Sequence, residues 1–235
     1  GVNGGDIHNI TSIQKGSTTP YVNQYDAQDR VFKQTHGNDL LAITYDIDFK
    51  KTTATHTITD AAGQTLSTLI AQYEFDPEGY VTRVSDNTGI IRSYFYSQPM
   101  KWRTRDEVSQ VQADGVTISL LRGRDYTYTA SGNKATEVVT LASGETITKT
   151  WTYDKDWIAS EQTVSSLDTT KIFRTEYTFY YDANGYPTNI KEKKVRKDDG
   201  TFQTTSYAYD NHGRLQTTTL PDGHSLTHVY TGAYL

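Results

Sequence analysis

Apolar and polar residues alternate with a period of two along most of this chain, and the alternating runs are short. Each is stopped by a turn signal. In "YAYDNHGRLQTTTLPDGHSLTHVY", Tyr207 to Tyr230, two tyrosines at alternate positions lead into Asp210 and Gly213, and an Asp-Gly follows at Gly223. Side chains alternate faces along a strand, so Tyr207 and Tyr209 share one face. Similar runs begin at Gln24, Tyr73, Tyr126, Trp151 and Phe179, with weaker copies at Thr44 and Tyr94. They pair Tyr73 with Phe75, Tyr126 with Tyr128, Trp151 with Tyr153, and Phe179 with Tyr181. No window of helical length carries a 3.6-residue pattern, so little helix is expected.

A second glycine-centred marker recurs between these runs, at Gly37, Gly63, Gly89, Gly115, Gly144, Gly200 and Gly223. Where one glycine is missing, "SSLDTTK" around Asp168 stands in. The period is about 26 to 27 residues, the mark of a repeat architecture. One period holds two turns and two strands. In the first turn Asp accepts a backbone hydrogen bond and Gly supplies positive φ, as at Asp76 and Gly79, Asp182 and Gly185, and Asp210 and Gly213. Asp154 holds the same place, but Trp157 stands where the glycine belongs. In the second turn, Asp-Gly and Ser-Gly are tight-hairpin signals.

The repeat predicts an all-β fold: one hairpin-repeat domain over residues 1–235, an antiparallel up-and-down meander of about 14 to 16 strands. The aromatic pairs are expected to form a band across it. Closure removes aggregation-prone edges, so a large soluble barrel is expected, with a spiralling shell as the alternative. A propeller blade needs about 40 residues, which the period does not supply.

Composition adds limits. Among 235 residues, 35% are hydrophobic and 12% aromatic, with 18 Tyr, so hydroxyls must meet water or a partner. A net charge of −5 argues against nucleic acid as a partner. There is no cysteine, hence neither disulfide nor thiolate metal site. No stretch approaches the ~18 apolar residues of a membrane helix, and a mean hydropathy of −0.66 argues against a lipid-facing barrel wall. A chain starting at Gly1 rather than Met predicts removal of a leader.

Tyr207, Tyr209, Asp210, Gly213, Arg214, Leu215, Pro221, Asp222, Gly223 and Tyr230 make this segment resemble the YD repeat of RHS proteins. Degenerate repeats of this kind over a whole chain also resemble a domain of unknown function from gut-bacterial lipoproteins, with a porin-like fold. The opening "IHNITSIQKGSTTPYVNQYDAQDRVFKQT" is similar to the start of such domains. The resemblance implies a closed many-stranded barrel, export to the periplasm or cell surface, and a lipidated cysteine ahead of Gly1. It implies no activity. RHS proteins are much longer and wrap their repeats around a toxin.

Catalytic signatures are sparse. Of His8, His36, His56, His212, His224 and His228, only His224 and His228 share a strand face at close spacing, and about 13 Å between them is too far for one zinc ion. "DANG" and "DNHG" lack the remaining ligands of a calcium loop. The pairs Asp46/Asp48 and Asp154/Asp156 are read as solvated turn acids. "KEKKVRK", Lys191 to Lys197, splits its charges between two faces. Neither a phosphate-cradling loop nor a nucleophile elbow occurs. No cofactor, metal or catalytic residue is therefore expected. The expectation is a non-enzymatic exported protein, lipid-anchored but not membrane-spanning, that binds a carbohydrate, a lipid or an envelope protein, or serves as scaffold. Two alternatives stand beside it: an enzyme or carrier with a glycan or lipid site in a barrel mouth, and a fragment of a toxin-delivery shell. Trp102, Trp151 and Trp157 are the candidate ligand contacts.

Overall fold

The computed structural model describes residues 9–18 and 20–230; His8 and the start of the opening stretch lie outside them. The chain divides into two compact units, Gly1–Leu121 and Arg122–Leu235. The first holds β1 (Ser12–Ile13), β2 (Tyr21–Tyr25), β3 (Val31–His36), β4 (Asp39–Asp46) and β5 (Lys51–Thr59). It continues through β6 (Thr65–Phe75), β7 (Val81–Asp86), β8 (Ile90–Tyr96) and β9 (Arg103–Val111). The boundary falls inside β10 (Ile118–Tyr128). The second unit holds β11 (Lys134–Leu141), β12 (Thr146–Asp154), β13 (Trp157–Ser165) and β14 (Ile172–Tyr181). It ends with β15 (Pro187–Arg196), β16 (Phe202–Tyr209), β17 (Leu215–Thr219) and β18 (Ser225–Thr227).

The fold is all-β, with no helix among the described residues. Within each unit every strand pairs antiparallel with the next, the up-and-down meander expected from the repeat. The strand count exceeds the expected one because β1 and β18 form with only two and three residues. No ladder among the described residues joins β9 back to β1 or β18 back to β10, so neither unit closes on itself as a barrel. The terminal strands are instead too short to offer much unpaired backbone, another way of blunting an edge.

The aspartate of each repeat explains the turn. Asp26 Oδ1 accepts the backbone N–H groups of Gln28 and Arg30 at 2.9 and 3.0 Å. Asp76, Asp182 and Asp210 do the same for the residues two and four positions on. The aspartate's own N–H closes the loop on the carbonyl four residues ahead, 2.9 Å for Asp76 to Tyr80. This is the three-residue hairpin loop, whose last member must be left-handed. Gly79, at φ 91°, supplies that conformation without steric cost. At Thr129, which stands where Asp is expected, the hydroxyl accepts the Asn133 N–H at 3.1 Å.

Beyond this first turn of the repeat the ladder slips by one residue, and in β14–β15 it slips twice. The slip occurs in β2–β3, β6–β7, β8–β9, β10–β11, β12–β13, β14–β15 and β16–β17, always with the extra residue on the second strand. A bulge leaves ladder groups unpaired. Where the extra residue is Thr82, Thr104 or Thr188, its hydroxyl bonds back to the carbonyl of Glu74, Phe95 or Tyr180. In four hairpins the carbonyl just before the extra residue takes a tyrosine from the following hairpin. Tyr45 donates to Val31 O at 2.8 Å, Tyr96 to Val81 O at 2.9 Å, Tyr153 to Lys134 O at 2.7 Å and Tyr230 to Leu215 O at 2.7 Å. Burial pushes the phenols of Tyr45 and Tyr153 above their ordinary range.

The aromatic band expected from the sequence forms only in places, where Tyr80 meets Tyr96, Trp157 meets Phe179 and Tyr180 meets Tyr209. Across the ladders the rings meet other chemistry: Tyr126 faces Glu137, Trp151 faces Glu161 and Tyr207 faces Thr218. Cations fill the spaces, with Arg30 4.4 Å from the Tyr45 ring centre, Lys134 4.5 Å from that of Tyr126 and Arg214 4.7 Å from that of Tyr230. Deep burial is rare. Among hydrophobic residues described, only Ile91 (7% exposed) and Phe179 (5%) reach it.

The hydroxyl link is open to mutation. Tyr45→Phe and Tyr96→Phe each leave a bulge carbonyl without its donor and should cost about 1 kcal/mol in urea unfolding; the exposed Tyr186→Phe should cost nothing measurable. Equal stability of all three variants would refute the link. Acid tests the turns. Hydrogen bonds from the Thr201 hydroxyl and backbone and from Lys197 hold Asp199 at about 2, below its ordinary 3.8. Arg30 likewise lowers Asp26, and the Arg214 backbone lowers Asp210. A depressed carboxylate contributes stability above its unfolded value that is lost as pH falls through the folded one. Unfolding midpoints should therefore drop as pH goes from about 4 towards 2, and Asp199→Ala should flatten that slope.

Candidate functional site

The repeat rule lapses at one turn of the second unit, and a concavity sits there. Asp154 pairs directly with Trp157, leaving a two-residue loop, one shorter than its counterparts. Lys155 takes the left-handed conformation at φ 55°, and Trp157 becomes a strand residue. With the loop shortened, Asp154 acts differently, and its Oδ2 accepts the hydroxyl of Tyr181. That bond raises the Tyr181 phenol above its ordinary range. Asp156, at the loop tip, accepts the side-chain amide of Asn133 at 2.9 Å.

The concavity measures about 510 Å³ and lies over β13, β14 and β15. Its floor is Phe179, with Ile190 directly opposite in the ladder. The Trp157 indole meets Phe179 edge-on, ring centres 5.4 Å apart at 78°, and is 40% exposed. Ile158 adds apolar rim. Glu161 and Tyr177 complete the wall. Burial first, and then the Glu161 charge, raise the Tyr177 phenol above its ordinary range. The surface is thus aromatic and aliphatic at its base, with the carboxylates of Asp156 and Glu161 at its edge.

Of the three tryptophans singled out in the sequence, Trp157 lines this basin. Trp151, half-buried on β12, stands directly across the ladder from Glu161, with Lys134 5.7 Å from its ring centre. Trp102 belongs to the first unit, in the turn after β8, where its backbone is tied to Ser97. Glu161, Tyr177 and Ile190 carry no mark of their own in the sequence. The signal that leads to them is the tryptophan in a glycine position, once strand register is known.

The other candidates fall elsewhere. The carboxylates of "DANG" and "DNHG" cap their own turns, and Asp210 Oδ2 also holds the Arg214 guanidinium at 2.8 Å. His224 bonds through Nδ1 to Asp222 at 3.0 Å, both side chains exposed. In the basic run, Lys194 meets Glu192, Lys197 meets Asp199 and Arg196 donates to Ile172 O. Among the described residues no group of three or more His, Cys, Asp or Glu is placed to hold a metal ion.

No family model matches the chain, and no curated protein matches it. Solved structures do. The crystal structure of TcdB2-TccC3-Cdc42 aligns at 12% identity over 89% of this chain and 13% of that one, with a TM-score of 0.50. TcdB2-TccC3-TEV aligns at 14% identity over 88% and 13%, TM-score 0.45. A porin-like protein from Bacteroides uniformis aligns at 12% identity over 95% and 90%, TM-score 0.32. The chain thus spans about 13% of the length of the first two. At 0.50 the likeness shows a shared β-repeat fold.

The basin's floor and rim should separate in stability. Phe179→Ala removes a buried ring and should cost about 3 kcal/mol in urea unfolding. Trp157→Ala, at a half-open position, should cost less than about 1.5 kcal/mol. Equal costs would mean that the indole is structural rather than presented.

Proposed function

We propose that this chain is a non-enzymatic, exported β-repeat protein of the bacterial cell envelope, kin to the lipoprotein domains it resembles, and that the Trp157 basin is where it contacts a ligand or partner. The observation that carries the reading is the coincidence of a lapse in the repeat with an apolar concavity. Elsewhere the Tyr, Asp and turn residues of the repeat hold the fold. Here the loop is shortened, a tryptophan replaces a turn glycine, and the indole is left 40% exposed beside two carboxylates. Functional sites are where local folding rules are expected to fail. Asp156 is already engaged by the Asn133 amide, which suits binding better than proton transfer.

The test is a panel of carbohydrates, lipid vesicles and small organic ions read by melting temperature and tryptophan fluorescence. At least one class should raise the melting temperature and perturb the fluorescence of the native chain but not of Trp157→Phe. If none does so, the basin is not a binding site. Export and lipidation are tested on the whole gene product by radiolabelled fatty acid incorporation; an unlabelled, cytoplasmic product would end that part of the reading.

A further inference from the structure

Taking the basin as a ligand site, we infer that its occupant presents an alkylated ammonium group, an organic cation rather than a sugar or an anion. The charges that line the basin favour this class. Its rings are Trp157, Tyr177 and Phe179, and its charged groups are the carboxylates of Asp156 and Glu161. No lysine, arginine or histidine is among the lining residues. The lining side chains offer two donors, the indole N–H of Trp157 and the phenol of Tyr177. A pyranose can lay a C–H face on the rings and donate hydroxyls to the carboxylates, but it brings no charge to balance theirs. An anion would face two carboxylates. A cation with methyl or methylene groups on nitrogen meets both demands: its polarised C–H surface lies on the negative ring faces, and its charge faces Asp156 and Glu161.

The neighbouring cations leave the basin open. Lys155 Nζ lies 5.4 Å from the Tyr186 ring centre, Lys191 6.0 Å from that of Tyr180, and Lys134 bonds Glu137 at 3.2 Å. Lys193 is the exception in position. It stands opposite Tyr177 in the β14–β15 ladder, next to the basin though not lining it. A resident ammonium there works against a second one, so its removal should strengthen binding.

The experiment titrates the full chain with choline, its neutral carbon isostere 3,3-dimethylbutan-1-ol, methyl glucoside and acetate, followed by isothermal calorimetry and by the Trp157 indole N–H resonance, assigned with Trp157→Phe. Choline should bind saturably and the other three at least about fivefold more weakly. Glu161→Gln should weaken choline about two- to fivefold, as should raising salt to about 0.5 M; Lys193→Met should tighten it. Unchanged melting temperatures will show that these variants fold. Equal binding of dimethylbutanol and choline would overturn the inference by reducing the site to apolar contact. Binding of methyl glucoside without choline would overturn it too, while leaving the basin a ligand site. Silence from every probe, and from the broader panel above, would remove the basin reading itself. Co-sedimentation with phosphatidylcholine but not phosphatidylglycerol vesicles would assign the ammonium to a lipid head group, and choline binding without vesicle binding to a free solute; both support the chemistry.

Discussion

The hydrogen bond from a tyrosine hydroxyl to a bulge carbonyl of the preceding hairpin is the constraint on which this architecture rests. Each hairpin here is short, and an isolated two-stranded unit is marginal in water. Few apolar side chains are deeply buried, so a conventional core does not supply the missing free energy. What joins one hairpin to the next is the ladder and this link, seen from Tyr45, Tyr96, Tyr153 and Tyr230. The link needs the bulge, because a regular ladder would leave no carbonyl for the phenol. The bulge in turn follows the first turn of the repeat in seven hairpins. Tyrosine, capped turn, left-handed residue and slip are therefore one device.

That coupling accounts for which features show in the sequence and which do not. The alternation Tyr207, Tyr209 and the Asp210–Gly213 spacing display strand, face and turn directly, because period two and positive φ leave marks in residue type. The all-β meander follows from them. The bulge leaves a fainter mark, a threonine two residues past the turn tyrosine in "GYVTRV" and "GYPTNI", legible only once hydrogen bonds are known. The aromatic band rests on strand alternation alone. It is interrupted because cations sit among the rings, Lys134 beside both Tyr126 and Trp151 and Arg103 beside both Tyr94 and Tyr96. The expectation of closure rests on the general cost of edges, but that cost depends on edge length, and β1 and β18 are only two and three residues long.

The candidate site is half legible for the same reason. Trp157 stands out in sequence as a tryptophan in a glycine position. Its companions do not, since Glu161, Tyr177 and Ile190 are ordinary strand residues until register sets them beside it. Trp151 and Trp102 stand out on residue type alone. The first approaches the basin only through Glu161, and the second lies in the other unit.

A repeat whose polar groups are already bonded to one another leaves little surface for recognition, because a ligand must compete with bonds already made. Deleting one loop residue changes this locally. The tryptophan enters the strand instead of the turn, Asp154 turns from capping a loop to holding Tyr181, and an indole is presented over Phe179. The cost is small, since the bulge and the neighbouring ladders persist on both sides. The gain is a site whose polarity is set by what remains: acceptors at the rim, rings at the base, and lysines drawn to other rings nearby. The preference for positive charge proposed here rests on the cations the basin lacks as much as on the carboxylates it has.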